Sequence, residues 1–355
     1  MALSCGLVGL PSVGKTTFFD LLTGWGADAR TRPSGKAGVS SGHARIPDGR
    51  VDYLSAMFKP KKTTYAQMEV TDVPWIKGGG PEFVAALGAC DALAHIVRAF
   101  RGVGGADGEP DPMAELRELD AETLLSDIMS AEARMGRIRS GGKKKAESEG
   151  EEAALERCLT TLNEGRPLTE ANMAEDDADA LRHMRFLSGK PYVVVANLGE
   201  DGLRTGSWPQ KALVEGYCAE RGVTLLEVSA GLEEEIGRLP EGERAAFMED
   251  LGLTESGVGR MAKALYAQLR LASFLTVGED EVKAWTVKAG TPARQAAGKV
   301  HTDIERGFIR AETIAFDRLK EAGSMASARE RGHFRLEGKD YAVKDGDVIN
   351  FRFNV

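Results

Sequence analysis

Apolar residues recur along this chain in short continuous runs separated by longer amphipathic stretches. That is the pattern of a parallel sheet whose strands are buried on both faces. The first run, Leu3 to Val8, predicts a buried strand, and Thr17-Phe18-Phe19-Asp20-Leu21-Leu22 predicts the opening turns of a helix. Tyr65 to Val70 alternates and ends at Asp72, a strand that delivers an acid to the carboxyl edge of the sheet. Ala92 to Val97, Pro191 to Ala196 and Thr224 to Val228 predict further strands, the last ending in Ser229-Ala230. Residues 26–50 are rich in Gly, Ser and Arg with little apolar periodicity, which predicts a mobile loop.

Between about 112 and 165 the pattern becomes helical and rich in charge. Leu116, Leu119, Leu124, Ile128, Met135 and Ile138 form an apolar stripe, Ser140 to Lys145 breaks it, and Glu147 to Leu162 resumes it. Two helices joined by a Gly-Gly-Lys turn predict an antiparallel hairpin inserted into the sheet domain, its charges forming a solvated face. From about Phe274 short strands alternate with turns: Val282 to Val287, a helical stretch from Thr291 to His301, then strands to Phe353. The predicted fold class is therefore α/β, a doubly wound sheet with an inserted helical hairpin and a small C-terminal α+β domain of the β-grasp type.

Composition narrows the function classes. The 355 residues suffice for two or three domains, and 42% hydrophobic with 28% charged residues is ordinary for a soluble protein. No apolar run approaches the roughly 20 residues that span a bilayer. The short first run leads straight into a glycine-rich loop, which argues against a signal peptide. Cys5, Cys90, Cys158 and Cys218 lack metal-ligand spacing and read as reduced thiols in a cytoplasmic protein. A net charge of −8 argues against a globally basic nucleic-acid binder, and no DNA partner is expected, although a local basic face remains open.

Gly9-Leu10-Pro11-Ser12-Val13-Gly14-Lys15-Thr16, lying between the first strand and helix, fits G-x-x-x-x-G-K-[ST]. In such a loop, successive N–H groups and the helix N-terminus, here from Leu10 to Thr17, meet phosphate oxygens. Lys15 would reach the outer phosphates as the catalytic cation, and the Thr16 hydroxyl would ligate Mg²⁺. Asp72 either holds Mg²⁺ through water or is a solvated strand end. Asn197, at the end of its strand, offers an amide to a purine edge, with Ser229 and Ala230 beneath the base. This chain is expected to bind a nucleoside triphosphate.

The order of these motifs, together with Asn197-Leu198-Gly199-Glu200, resembles the YchF/Obg-like ATPase family. Gln295 to Asp303, Glu305 to Glu312 and Leu336 to Tyr341 are similar to that family's C-terminal TGS domain. The resemblance implies an NTPase domain over 1–110 and 186–273, a helical insertion over 111–185 and a TGS domain over 274–355. It implies N-x-x-E in place of N-K-x-D, with Glu200 at the last position and Leu198 packed on the base. That displaces the aspartate that accepts from guanine, so ATP is expected over GTP. It also implies a cytoplasmic role at the ribosome, with hairpin and TGS domain facing RNA or a ribosomal protein.

Several positions depart from the family pattern. Ser12 stands where an Asn helps to hold a monovalent cation. The hydroxyl that closes over Mg²⁺ would fall near Lys36, between Ser34 and Ser40. The second switch reads Asp72-Val73-Pro74-Trp75-Ile76, with Trp75 in place of glycine and Lys77 the first basic residue after it. These departures predict slowed turnover. The alternatives are an RNA- or protein-binding adaptor with little turnover, and a GTP-binding switch.

Overall fold

The computed structural model describes residues 4–24, 38–75, 80–102, 108–140, 145–171 and 173–354. In chain order its first strands are β1 (Ser4–Val8), β2 (Ser40–Arg45), β3 (Lys62–Thr64), β4 (Gln67–Asp72), β5 (Ala92–Ala99), β6 (Tyr192–Leu198) and β7 (Leu225–Val228). All but β3 form one sheet in the order β2-β4-β1-β5-β6-β7. β1 pairs in parallel with both β4 and β5, and β6 with both β5 and β7. Every residue of β5 is buried, including His95 and Arg98, which interrupt its apolar run. The chain divides by contacts into two units, residues 1–44 with 69–261 and residues 45–68 with 262–355.

In the first unit, the helix Lys15–Thr23 follows β1 and buries Phe18 and Phe19. β1 is the central strand where the order reverses, so the loop beyond Val8 lies at the topological switch point, where open α/β sheets bind ligands. The predicted hairpin is present as the helices Pro112–Ser140 and Lys145–Asn163. Ala131 and Met135 pack against Ala154, Leu155, Cys158 and Leu162. Its charges are more engaged than a solvated face: Arg134 makes a bidentate pair with Glu151 at 2.6 and 2.7 Å, and Arg139 pairs with Glu152 and Glu156. At its root, buried Asp127 accepts the N–H groups of Leu187 and Ser188, both at 2.8 Å, ahead of β6.

Residues 38–50 differ from the predicted loop. Ser40–Arg45 is an edge strand and Gly49–Phe58 a helix capped by Asp48, whose carboxylate accepts from the Arg50 N–H. Only Ala44 of that strand is buried, so one-sided edge pairing left no apolar alternation to read.

The second unit contains β8 (Leu271–Thr276), β9 (Glu281–Lys288), β10 (Phe308–Ala315), β11 (Arg335–Glu337) and β12 (Asp347–Phe353). Its sheet runs β11-β10-β12-β8-β9-β3. Ala293, Ala296 and Ala297 of the helix Ala293–Val300 are fully buried in the same cluster as Phe274 and Phe351, a helix held in the curve of a mixed sheet. Small alanines permit that close approach. β3 joins by pairing in parallel with β9. Arg50 donates to both Asp48 and Asp345, and Asp345 in turn accepts the Ser273 N–H at 2.8 Å. This network ties the segment 45–68 into the C-terminal unit.

His95, in the middle of β5, is buried with neither ring nitrogen hydrogen-bonded among the described residues, stacked on Tyr192 at 4.5 Å. Burial pulls its pKa down to about 4. The unfolded chain titrates near 6.5 and the native state only near 4, so the native state resists a proton that the unfolded state accepts. Stability contributed by neutral His95 is complete above pH 6.5 and falls as pH drops toward 4, by about 1.4 kcal/mol per pH unit. His95→Phe is expected to flatten that acid limb in urea denaturation measured across this range. An unchanged slope overturns the assignment.

Candidate functional site

The loop after β1 is shaped by backbone conformations that side chains resist. Gly14 has φ +97°, and a Cβ there would lie 2.4 Å from the Asn197 amide nitrogen. A Cβ on Gly9 would meet the Ile96 carbonyl at 2.5 Å. Ser12 holds φ +63° without being glycine, a strained position at the exposed tip beside Pro11. The helix Lys15–Thr23 starts at Gly14 with no side-chain cap, which leaves its first N–H groups turned toward the loop.

Lys15 is 8% exposed, and its ammonium donates to the carbonyls of Gly9 at 2.7 Å and Leu10 at 2.8 Å. Burial lowers its pKa, opposed by the charges of Asp72 and Glu115. The Thr16 hydroxyl donates to Asp72 at 2.9 Å, so the loop and the end of β4 meet in one oxygen pair. A hydroxyl and a carboxylate are the hard donors that Mg²⁺ prefers, and Mg²⁺ needs few protein ligands when phosphates supply the rest.

Asn197 is the penultimate residue of β6 and is 4% exposed. Its amide donates to the Val13 carbonyl at 2.9 Å and accepts the Ala230 N–H at 3.0 Å. The sequence assigned this amide to a purine edge; the structure adds that one donor and one acceptor already hold the phosphate loop and the next helix in place. Ser229 caps that helix, Ala230–Arg238, by accepting the Leu232 N–H. Gly14, Thr17, Asn197, Leu198, Glu200, Ser229 and Ala230 line one cleft of about 990 Å³.

Phe100, Arg101, Pro110 and Trp208 also line the cleft, and motif reading missed them. Phe100 directly follows β5, so strand-end position alone was a usable signal for it. Trp208 is fixed by its indole N–H donating to Glu227 at 2.8 Å, a contact with no sequence signature. Asp201, beside Glu200, has a 90% exposed side chain paired with Arg204.

Trp75 packs edge-on against Phe83 at 5.8 Å, which anchors the start of the second switch in the core. Ser34, Lys36, Ile76 and Lys77 lie outside the described residues. Among the described residues, no cluster of three or more His, Cys, Asp or Glu side chains is arranged to hold a metal. No helix among them is long and apolar enough to cross a membrane.

Residues 271–354 match the family model YchF-GTPase_C, described as a protein of unknown function (DUF933). A Bacillus subtilis protein, Ribosome-binding ATPase YchF, is 37% identical over 366 residues, covering 100% of both chains. Obg-like ATPase 1 of Caenorhabditis elegans is 35% identical over 99% of this chain and 92% of its own. The solved structure of the Schizosaccharomyces pombe YchF GTPase superposes with a TM-score of 0.86 at 26% identity, covering 99% of this chain and 97% of that one. The likeness in fold thus extends through the P-loop NTPase domain, the hairpin and the C-terminal domain.

Asn197→Ala strands the Val13 carbonyl and the Ala230 N–H, and is expected to cost about 1–3 kcal/mol in chemical denaturation. Gly14→Ala displaces the same amide, so the double variant should cost less than the sum of the two single variants. Strict additivity would show that Gly14 and Asn197 act independently.

Proposed function

This chain belongs to the YchF family, and we propose that it is a Mg²⁺-dependent ATPase of slow intrinsic turnover that works at the ribosome in the cytoplasm. The observation that carries the reading is the convergence of Lys15, Thr16 and Asp72 at the switch point, beside a cleft floored by Asn197 and Ala230. In this proposal the loop N–H groups and Lys15 hold the β- and γ-phosphates. Thr16 and Asp72, already paired at 2.9 Å, would hold Mg²⁺. Bound there, Mg²⁺ would supply charge neutralisation at the phosphate oxygens. Ribosome association is supported by the names of the bacterial relatives.

Preference for adenine is supported by the strand end Asn197-Leu198-Gly199-Glu200. A guanine reader needs a carboxylate aimed at N1 and N2; Glu200 takes the last position of the motif, and the neighbouring Asp201, although it lines the cleft, is paired with Arg204. A site without that acceptor loses its means of favouring guanine. Leu198, buried at 2% exposure, supplies apolar contact to the base in this reading.

Slow turnover is supported at the second switch. Catalysis of phosphoryl transfer depends on donors placed where charge develops, and each one missing costs on the order of 10²-fold. Trp75 stands where a freely turning glycine belongs, and its ring is held by Phe83. The same contact favours a second reading, an adaptor that binds nucleotide without cleaving it.

Calorimetric titration is expected to give at least tenfold tighter binding of ATP than of GTP, and equal affinities overturn the base assignment. Lys15→Ala should reduce triphosphate affinity at least 100-fold; unchanged affinity removes the phosphate-loop role. Single-turnover cleavage of ATP separates the two readings. Stimulation by ribosomes supports the ATPase, and its absence with binding intact supports the adaptor.

A further inference from the structure

Where β1 ends, β5 loses a neighbouring strand. The two pair as far as Val8 against His95, and the chain then turns away into the phosphate loop at Gly9. β5 runs on to Ala99, paired with β6 on its other side, with Arg98 opposite Asn197. Buried backbone N–H groups in such a corner need acceptors. The Arg98 N–H donates to the Glu115 carboxylate at 2.7 Å, in a buried bond. Glu115 comes from the first turn of the hairpin helix Pro112–Ser140. Met113, Leu116 and Leu119 of that helix pack into the sheet core with Val97 and Ala99. The inserted hairpin therefore places a carboxylate inside the sheet domain, at the end of the strand beside the phosphate loop.

Two acids, Asp72 and Glu115, act on the buried Lys15 ammonium. They are not equivalent. Asp72 accepts from the Thr16 hydroxyl and would face Mg²⁺ in the proposed complex. Glu115 is 9% exposed, and the Arg98 guanidinium stands 3.8 Å from it, beyond hydrogen-bond length. That guanidinium also donates to the Gly108 carbonyl at 3.4 Å. Burial pushes the Glu115 carboxyl up to about 7; the Arg98 N–H and guanidinium hold it down, and the charges of Asp111 and Glu118 raise it. A buried charge so loosely matched is felt strongly by other charges around it. Phosphates laid on the loop bring negative charge to the same lysine.

We propose that Glu115 is a positioning residue for triphosphate binding, fixing the end of β5 beside the loop while its charge holds affinity below what the loop alone would give. The proposal rests on the triphosphate reading above. The carboxylate and the incoming phosphates share Lys15, so each weakens the hold of the other on that cation. The charged groups facing Glu115 are Arg98 from β5, Lys15 from the loop, and Asp111 and Glu118 from the hairpin's own end. Above about pH 7 the carboxylate is charged and opposes the phosphates; below it the group is neutral and the opposition is gone. By reciprocity, bound phosphates raise the proton affinity of Glu115. An amide in its place keeps an acceptor for the Arg98 N–H and removes the charge.

The test is calorimetric titration of the full chain with ATP and Mg²⁺ at pH 8 and at pH 6. Glu115→Gln is expected to bind ATP roughly threefold tighter or more than wild type at pH 8. The gap should close at pH 6, where the wild-type carboxyl carries its own proton. Protonation of ATP itself is common to both chains and cancels in their ratio. Glu115→Asp, which keeps the charge, should gain no affinity at pH 8. Equal affinities of wild type and Glu115→Gln at pH 8 overturn the proposal. So does a gap of the same size at both pH values, or an equal gain in Glu115→Asp, either of which marks a purely structural effect. If the Gln variant does not fold, the carboxyl carbon resonance of Glu115 in the wild-type chain carries the test. Its titration near pH 7 should move upward when ATP binds, and a midpoint that stays or falls overturns the proposal. A wild-type chain that binds no triphosphate defeats the reading of the site itself, whereas binding that ignores Glu115 defeats this proposal alone.

Discussion

The side-chain amide of Asn197 holds together three pieces that are far apart in the chain. It donates to Val13 in the phosphate loop, accepts from Ala230 at the start of the next helix, and is itself delivered by the end of β6. Buried amides must find partners, because an unpaired donor or acceptor costs more than a satisfied one contributes. Here that requirement becomes geometry: the loop, the floor of the cleft and the strand end keep their spacing only if all partners are present. The positive φ of Gly14 belongs to the same constraint, since any Cβ would occupy the place of the Asn197 nitrogen. The Lys15 and Thr16 contacts rest on a loop held in this way.

A second constraint gathers the segment 45–68 into the C-terminal unit. Arg50 bridges Asp48 and Asp345, and Asp345 also accepts from the Ser273 backbone. The segment enters from β2 and leaves into β4, the strand that ends at Asp72. Asp72, which accepts from Thr16, is therefore reached by way of a stretch that packs with residues from the other end of the chain. β3, three residues long, adds to that packing only because β9 offers it an edge.

The contrast between the two halves of the candidate nucleotide site is physical. On the loop side, every group that would meet phosphate is a backbone N–H, a buried lysine or a hydroxyl paired with a carboxylate. On the switch side, Trp75 has been drawn into aromatic contact with Phe83, which replaces the freedom of a glycine by the packing of an indole. Binding and cleavage place different demands on a site: the first needs donors in place, the second needs them to move or tighten as charge develops.

Much of this was legible in the sequence. The apolar runs marked β1, β5 and β6, because strands covered on both faces need continuous hydrophobicity. The stripe from Leu116 to Ile138 marked the hairpin, and the glycines and lysine at Gly9 to Thr16 marked the phosphate loop through local geometry alone. What the sequence did not carry were features made by distant partners. The edge strand Ser40–Arg45 has no alternation because only one side of it is covered. Trp208 is held at the cleft by its bond to Glu227, and the charges of the hairpin pair across helices whose register is set by packing. The sequence by itself determined the buried strands, the hairpin helices and the glycine-rich loop at Gly9 to Thr16, and which residue types stand at the strand ends. The tertiary structure alone decided that Asn197 would clamp the loop and that residues 45–68 would pack with the C-terminal unit. It also decided that the charge of Glu115 would act on Lys15. Each of these depends on contacts between residues tens to hundreds of positions apart, which local pattern does not encode.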